Sequence, residues 1–234
     1  MNVKDVFRRL SYGELSNLSI GGEGSGTINP DKQGQMIHYI NEALIQLYSR
    51  FVLRENDLLL VCSEEITSYR MSSQFALTNE NADENATLYI KDSVEQPFED
   101  DLIKILKVYN ENAVELPLND VDRLDSLFTP QPITLEVPNP IEGEVFSLVY
   151  QCRHPKIDYS GINACIDLPA VLEGALTAYI AHLVYKNMNG VENSGKAQEH
   201  LNTYEAICQN VIANDLVNSS ASSTGMKFYQ RGFV

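Results

Sequence analysis

The sequence predicts an α+β chain: a helical bundle of one long N-terminal helix and a C-terminal helical hairpin, interrupted by a β-rich insertion and followed by an extended tail. Three observations carry this. Apolar residues recur at spacings of three and four near the start and again in the last third. The middle carries short apolar runs divided by turn residues, and five of the nine prolines fall between Pro117 and Pro140. The final residues, 218–234, show neither period. The expected organisation is a bundle from 1–56 and 169–217, an acidic β-rich insertion at 57–168, and a docking tail at 218–234.

A short helix is expected from Val3 to Asn17, with Val3, Phe7 and Leu10 on one side. The glycine-rich GGEGSG, residues 21–26, then reads as a mobile loop. Asn29-Pro30-Asp31 is a helix start, with a cap residue, a proline in the first turn and an acid near the positive end of the dipole. The helix it opens places Ile37, Ile40, Leu44, Leu47 and Phe51 on one face.

The run from Asp57 to Cys62 reads as a strand. Ile103–Tyr109, a turn at Asn110-Glu111-Asn112, and Ala113–Leu116 read as a hairpin. Two further strands are expected at Ile133–Val137 and Val145–Tyr150. Pro169 opens a helix with Leu172, Leu176, Tyr179, Ile180 and Leu183 on one face and Ala175, Ala178 and Ala181 between them. Asn189-Gly190 stops it. A last helix from about Ser194 to Leu216 shows Ala197, Leu201, Tyr204, Cys208 and Val211, and the short connection predicts antiparallel packing of the two.

The net charge is −15, from 32 acids and 17 bases. Residues 79–136 hold fourteen acids against four bases, a local balance of −10. Such a chain is not built to wrap nucleic acid by neutralising phosphates. The tail from Asn218 has no acid and carries Lys227 and Arg231. Its Phe228, Tyr229, Arg231 and Phe233 are the expected interface residues, anchors for a partner's pocket.

No pattern for catalysis emerges, and the chain is not expected to be an enzyme. GGEGSG lacks the Gly-Lys-Ser/Thr ending of a phosphate-binding loop, and Glu23 would repel a phosphate. No G-x-S-x-G elbow occurs. His38, His182 and His200 fall in predicted helices, where packing roles are expected. Paired acids such as Glu64-Glu65 and Asp100-Asp101 follow from composition. Cys62, Cys152, Cys165 and Cys208 form no C-x-x-C pair and read as buried free thiols. Cys152, His154 and Cys165 match no zinc spacing. The acidic middle leaves a hard-cation site open but shows no EF-hand pattern, so no cofactor or metal is assigned. No secretory signal or membrane anchor is expected, since apolar runs such as Leu58–Cys62 are far shorter than a span.

Four segments in order carry a resemblance: ELSNLSI (Glu14 to Ile20), IHYINEALIQLYSRFVL (Ile37 to Leu53), DLPAVLEGALTAYIAHLVYKNMNG (Asp167 to Gly190), and HLNTYEAI (His200 to Ile207) before the extended tail. This order resembles the head-to-tail adaptor (connector) proteins of tailed bacteriophages, including the short-tailed phage tail tubular protein A type. The resemblance implies a structural virion protein in the neck or tail, assembled in the host cytoplasm as a ring of about twelve copies. It implies portal protein on one side, tail or nozzle proteins on the other, and double-stranded DNA passing through without specific binding or any membrane contact. Twelve chains at −15 each would carry about −180 charges, a wall to which DNA does not adhere. Two alternatives remain at this point: another neck or tail ring protein, such as a tail terminator or head-completion protein, or an acidic DNA mimic that binds a basic protein.

Overall fold

The computed structural model describes residues 1–80 and 87–217. In chain order these form α1 (Val3–Tyr12), α2 (Gln33–Arg50), β1 (Glu55–Val61), β2 (Ser68–Arg70), β3 (Ile90–Lys91), β4 (Leu102–Tyr109), β5 (Glu115–Leu116), β6 (Phe128–Gln131), β7 (Thr134–Glu136), β8 (Val145–Cys152), α3 (Glu173–Lys186) and α4 (Val191–Ala213). Among the described residues they divide into two compact units: Met1–Asn29 with 168–217, and Pro30–Asp167.

The first unit is helical. A reciprocal capping box starts α1: the Asn2 side chain accepts from the Asp5 N–H at 2.9 Å, and the Asp5 carboxylate accepts from the Asn2 N–H at 3.0 Å. Its buried stripe is Val3, Val6, Phe7 and Leu10. The helix ends at Tyr12 rather than Asn17, because Gly13 leaves the helical backbone at φ −101 and ψ −112; its N–H still closes on the Arg9 carbonyl, and the Leu15 N–H reaches back to that of Leu10. Helix α3 is buried on most of its circumference, through Ala175, Leu176, Ala178, Ile180, Ala181 and Val184. Against it lies α4, running the opposite way, with Tyr204 on Tyr179 (ring centroids 4.9 Å), His200 stacked on Tyr185 (5.3 Å), and the Ala197 carbonyl bonded to His182 Nδ1 (2.8 Å). Gly190 allows the reversal between them at φ +117, a conformation open to glycine and costly for other residues. Helix α1 is tied in by Arg9 on Glu173 at 2.5 Å, and the loop after it by Tyr185 Oη donating to the Glu14 carbonyl at 3.2 Å.

The second unit holds α2 and both sheets. One sheet has five antiparallel strands in the order β3-β1-β8-β4-β5; the other has three, β2-β7-β6. Alternate residues of β1 and β8 (Leu58 and Leu60, Phe146 and Leu148) face a shared core with Tyr69, Tyr89, Ile90, Val108 and Leu135. The tyrosines bring hydroxyls into that core, and each is satisfied. Tyr69 Oη donates to the Ser63 carbonyl (3.0 Å), Tyr89 Oη to the Arg70 carbonyl (2.8 Å), and Tyr150 Oη to Asp101 (2.9 Å). Burial pushes the Tyr69 phenol up to about 12.

The expected bundle is not formed. Helix α2 belongs to the sheet-bearing unit, while α1, α3 and α4 make the helical unit. The chain is α+β only in the broad sense, and a bundle of the long helix with a C-terminal hairpin is not its architecture. The physical reason is polar as well as apolar. The Asn41 side chain both donates to and accepts from the backbone of Ile157, at 2.9 and 3.0 Å. Tyr48 Oη donates to the Asp167 carbonyl, and its ring packs edge-on against His154. Buried Gln151, in β8, donates through Nε2 to the carbonyls of Tyr48 and Phe51 at the end of α2. These bonds fix α2 to β8 and to the strap that follows it, residues 153–167.

Candidate functional site

The open face of the five-stranded sheet is the surface that asks for an explanation. Register places Leu59, Ser147 and Tyr109 in one row across β1, β8 and β4, Asp57, Val149 and Lys107 in the next, and Val61 opposite Val145. These side chains point away from the core. An antiparallel sheet with one wet face normally alternates apolar with polar. Here Leu59, Val61, Val145 and Val149 hold outward positions, and Leu59 is 37% exposed. A shallow groove of about 670 Å³ runs over Leu59, Val145 and Val149, closed at one end by the turn after β4. At that end Glu111 accepts from the Val145 N–H at 3.1 Å. Glu144, the residue before β8, does not line the groove. Burial, with the Glu111 charge adding to it, pushes the Glu144 carboxyl above its ordinary value.

The sequence read these runs as strands but missed the open face. The signal was present: Val145-Phe146-Ser147-Leu148-Val149-Tyr150 and Leu58-Leu59-Leu60-Val61 are apolar at both parities, the pattern of strands covered on both sides.

The expected interface residues Phe228, Tyr229, Arg231 and Phe233 lie outside the described residues. The GGEGSG segment lies on α1: Ser11 Oγ donates to the Gly21 carbonyl at 2.5 Å and accepts from the Gly26 N–H at 3.0 Å. Gly21 is buried so closely that an added Cβ would stand 2.1 Å from the Leu15 carbonyl oxygen. The segment is thus packed rather than free of the domain.

Each histidine is engaged locally. His38 pairs with Glu42 at 3.1 Å on the exposed side of α2. In the neutral ring of His154, Nδ1 donates to the Pro155 carbonyl (2.6 Å) and Nε2 accepts from the Asp167 N–H (3.2 Å), while burial holds the imidazole below its ordinary value. His182 and His200 join α3 to α4 as described. Cys62, Cys152 and Cys208 are buried, and burial pushes the Cys62 and Cys152 thiols up to about 11. Cys165 departs from the expectation and is exposed. Among the described residues no group of three or more His, Cys, Asp or Glu side chains is arranged to hold a metal ion, and no helix is long and apolar enough to cross a membrane.

No protein-family model matches the chain, and no curated protein matches it at a significant level.

Proposed function

We propose that this chain is a structural ring component of a tailed-phage neck, with about twelve copies seated between portal protein and tail around the DNA path. The observation that carries the reading is the apolar open face of the five-stranded sheet. In a chain of net charge −15, apolar side chains gathered on a solvated sheet face favour a protein partner over nucleic acid. The resemblance of the segments at Glu14–Ile20, Ile37–Leu53, Asp167–Gly190 and His200–Ile207 to the adaptor proteins supplies the identity of the assembly. The acidic residues fit a channel wall that repels DNA, and the acid-free aromatic tail with Phe228, Tyr229, Arg231 and Phe233 fits an anchoring arm.

Negative-stain microscopy of the purified chain, alone and mixed with portal protein, tests the reading. Rings seated on portal are expected. A stable monomer indifferent to portal would overturn it.

A further inference from the structure

The groove on the open sheet face has a chemistry specific enough to name its occupant. Its floor is aliphatic, from Leu59, Val145 and Val149, with Tyr109 at one side. Its closed end carries Glu111, and among the described residues this carboxylate makes no ion pair. An occupant must therefore bring apolar or aromatic side chains for the floor and a cation for the closed end. It must also be short and extended enough to lie in a shallow groove.

The chain itself contains such a segment. Residues 226–234, Met-Lys-Phe-Tyr-Gln-Arg-Gly-Phe-Val, hold three aromatics and two cations and no acid. Residues 218–225, Asn-Ser-Ser-Ala-Ser-Ser-Thr-Gly, are small and polar, the composition of a tether. At about 3.3–3.6 Å per residue such a tether reaches nearly 30 Å when extended. We propose that the groove on the open sheet face binds the C-terminal segment 226–234 of a second copy of this chain, with aromatic side chains on the aliphatic floor and Lys227 or Arg231 at the Glu111 end. The choice of a second copy rests on the ring reading. A head-to-tail contact uses two different patches of one chain, and every copy of a closed ring then has its groove filled and its tail docked. The Glu111 carboxylate gains from the arrangement, because the incoming cation gives it an opposite charge at the groove's end.

The test is site-directed cross-linking in the full chain. Cys165→Ser removes the exposed thiol, and Ser147→Cys with Gln230→Cys places one thiol on the groove floor and one in the segment. Mild oxidation is expected to give a ladder of covalently linked copies on a denaturing gel. Lys227→Glu with Arg231→Glu should slow the cross-link about tenfold, and adding Glu111→Lys should restore much of it. A cross-linked species at monomer mass would overturn the second-copy assignment. No cross-link in a protein that still forms rings by microscopy would overturn the groove and leave the ring standing. Slowing that charge reversal on the groove fails to restore would overturn the role of Glu111. Circular dichroism of each variant shows that the fold is retained.

Discussion

Replacing Gln151 with Leu tests whether α2 is held by the sheet-bearing unit as described. The glutamine is 4% exposed, and its Nε2 donates to the carbonyls of Tyr48 and Phe51. Leucine has a similar size, so packing is largely kept and the loss is polar. The Tyr48 carbonyl gives up this donor, at about 2 kcal/mol for a buried acceptor left unsatisfied. The Phe51 carbonyl still receives the Leu53 N–H at 3.0 Å, so its loss is about 1 kcal/mol. Burying the leucine returns about 1 kcal/mol. The net is about 2 kcal/mol, or a fall in melting temperature of about 4–8 °C for a chain of this size. The chain has no tryptophan, so urea and thermal unfolding are followed by circular dichroism and tyrosine fluorescence. Exposed Gln198→Ala on α4 is the control and should stay within about 0.5 kcal/mol. If Gln151→Leu behaves like the control, Gln151 does not fasten α2 to β8.

His154 predicts a pH dependence. Its ring is neutral in the fold, with burial lowering its affinity for a proton, whereas the unfolded chain takes one up near the ordinary value of 6.5. The unfolded state therefore binds more protons around and below that pH, so stability is full above about 6.5 and declines as pH falls through that value. His154→Gln should flatten the urea midpoint over this window; an unchanged slope would contradict the assignment. Gly21→Ala forces a Cβ to 2.1 Å from the Leu15 carbonyl oxygen and should destabilise the helical unit by about 2–3 kcal/mol in urea melts. Gly24→Ala, at φ +75 with open space around it, should cost only about 1 kcal/mol; equal losses would show that the packing of Gly21 is not decisive. A thiol reagent should modify Cys165 at once and Cys62, Cys152 and Cys208 only on unfolding, since only the first is exposed; rapid modification of a second thiol would contradict the burial.

Much of the local structure was legible and much of its assembly was not. The stripe of Ile37, Ile40, Leu44 and Leu47 marked α2 correctly, and all four are buried. The hairpin at Asn110–Asn112 pairs Val108 with Leu116 and Tyr109 with Glu115. Strand β3 is two residues long, β2 is three, and β6 contains Pro130, so none had a period to read. The affiliation of α2 was hidden for a different reason. An apolar stripe says that a helix is covered but not by what. The partners that decide it, Gln151, Ile157 and Asp167, stand about a hundred residues or more away in the chain and act largely through backbone groups. For the candidate surface, the both-parity apolar runs in β1 and β8 were visible, but the missing cover on one side was not.

The most direct test of the proposed assembly is native mass spectrometry of the full chain with portal protein. A complex holding about twelve copies of this chain per portal ring is expected, and it should be lost when Met226–Val234 is deleted while circular dichroism shows the chain still folded. A single chain mass that portal does not change, with or without residues 226–234, would contradict it.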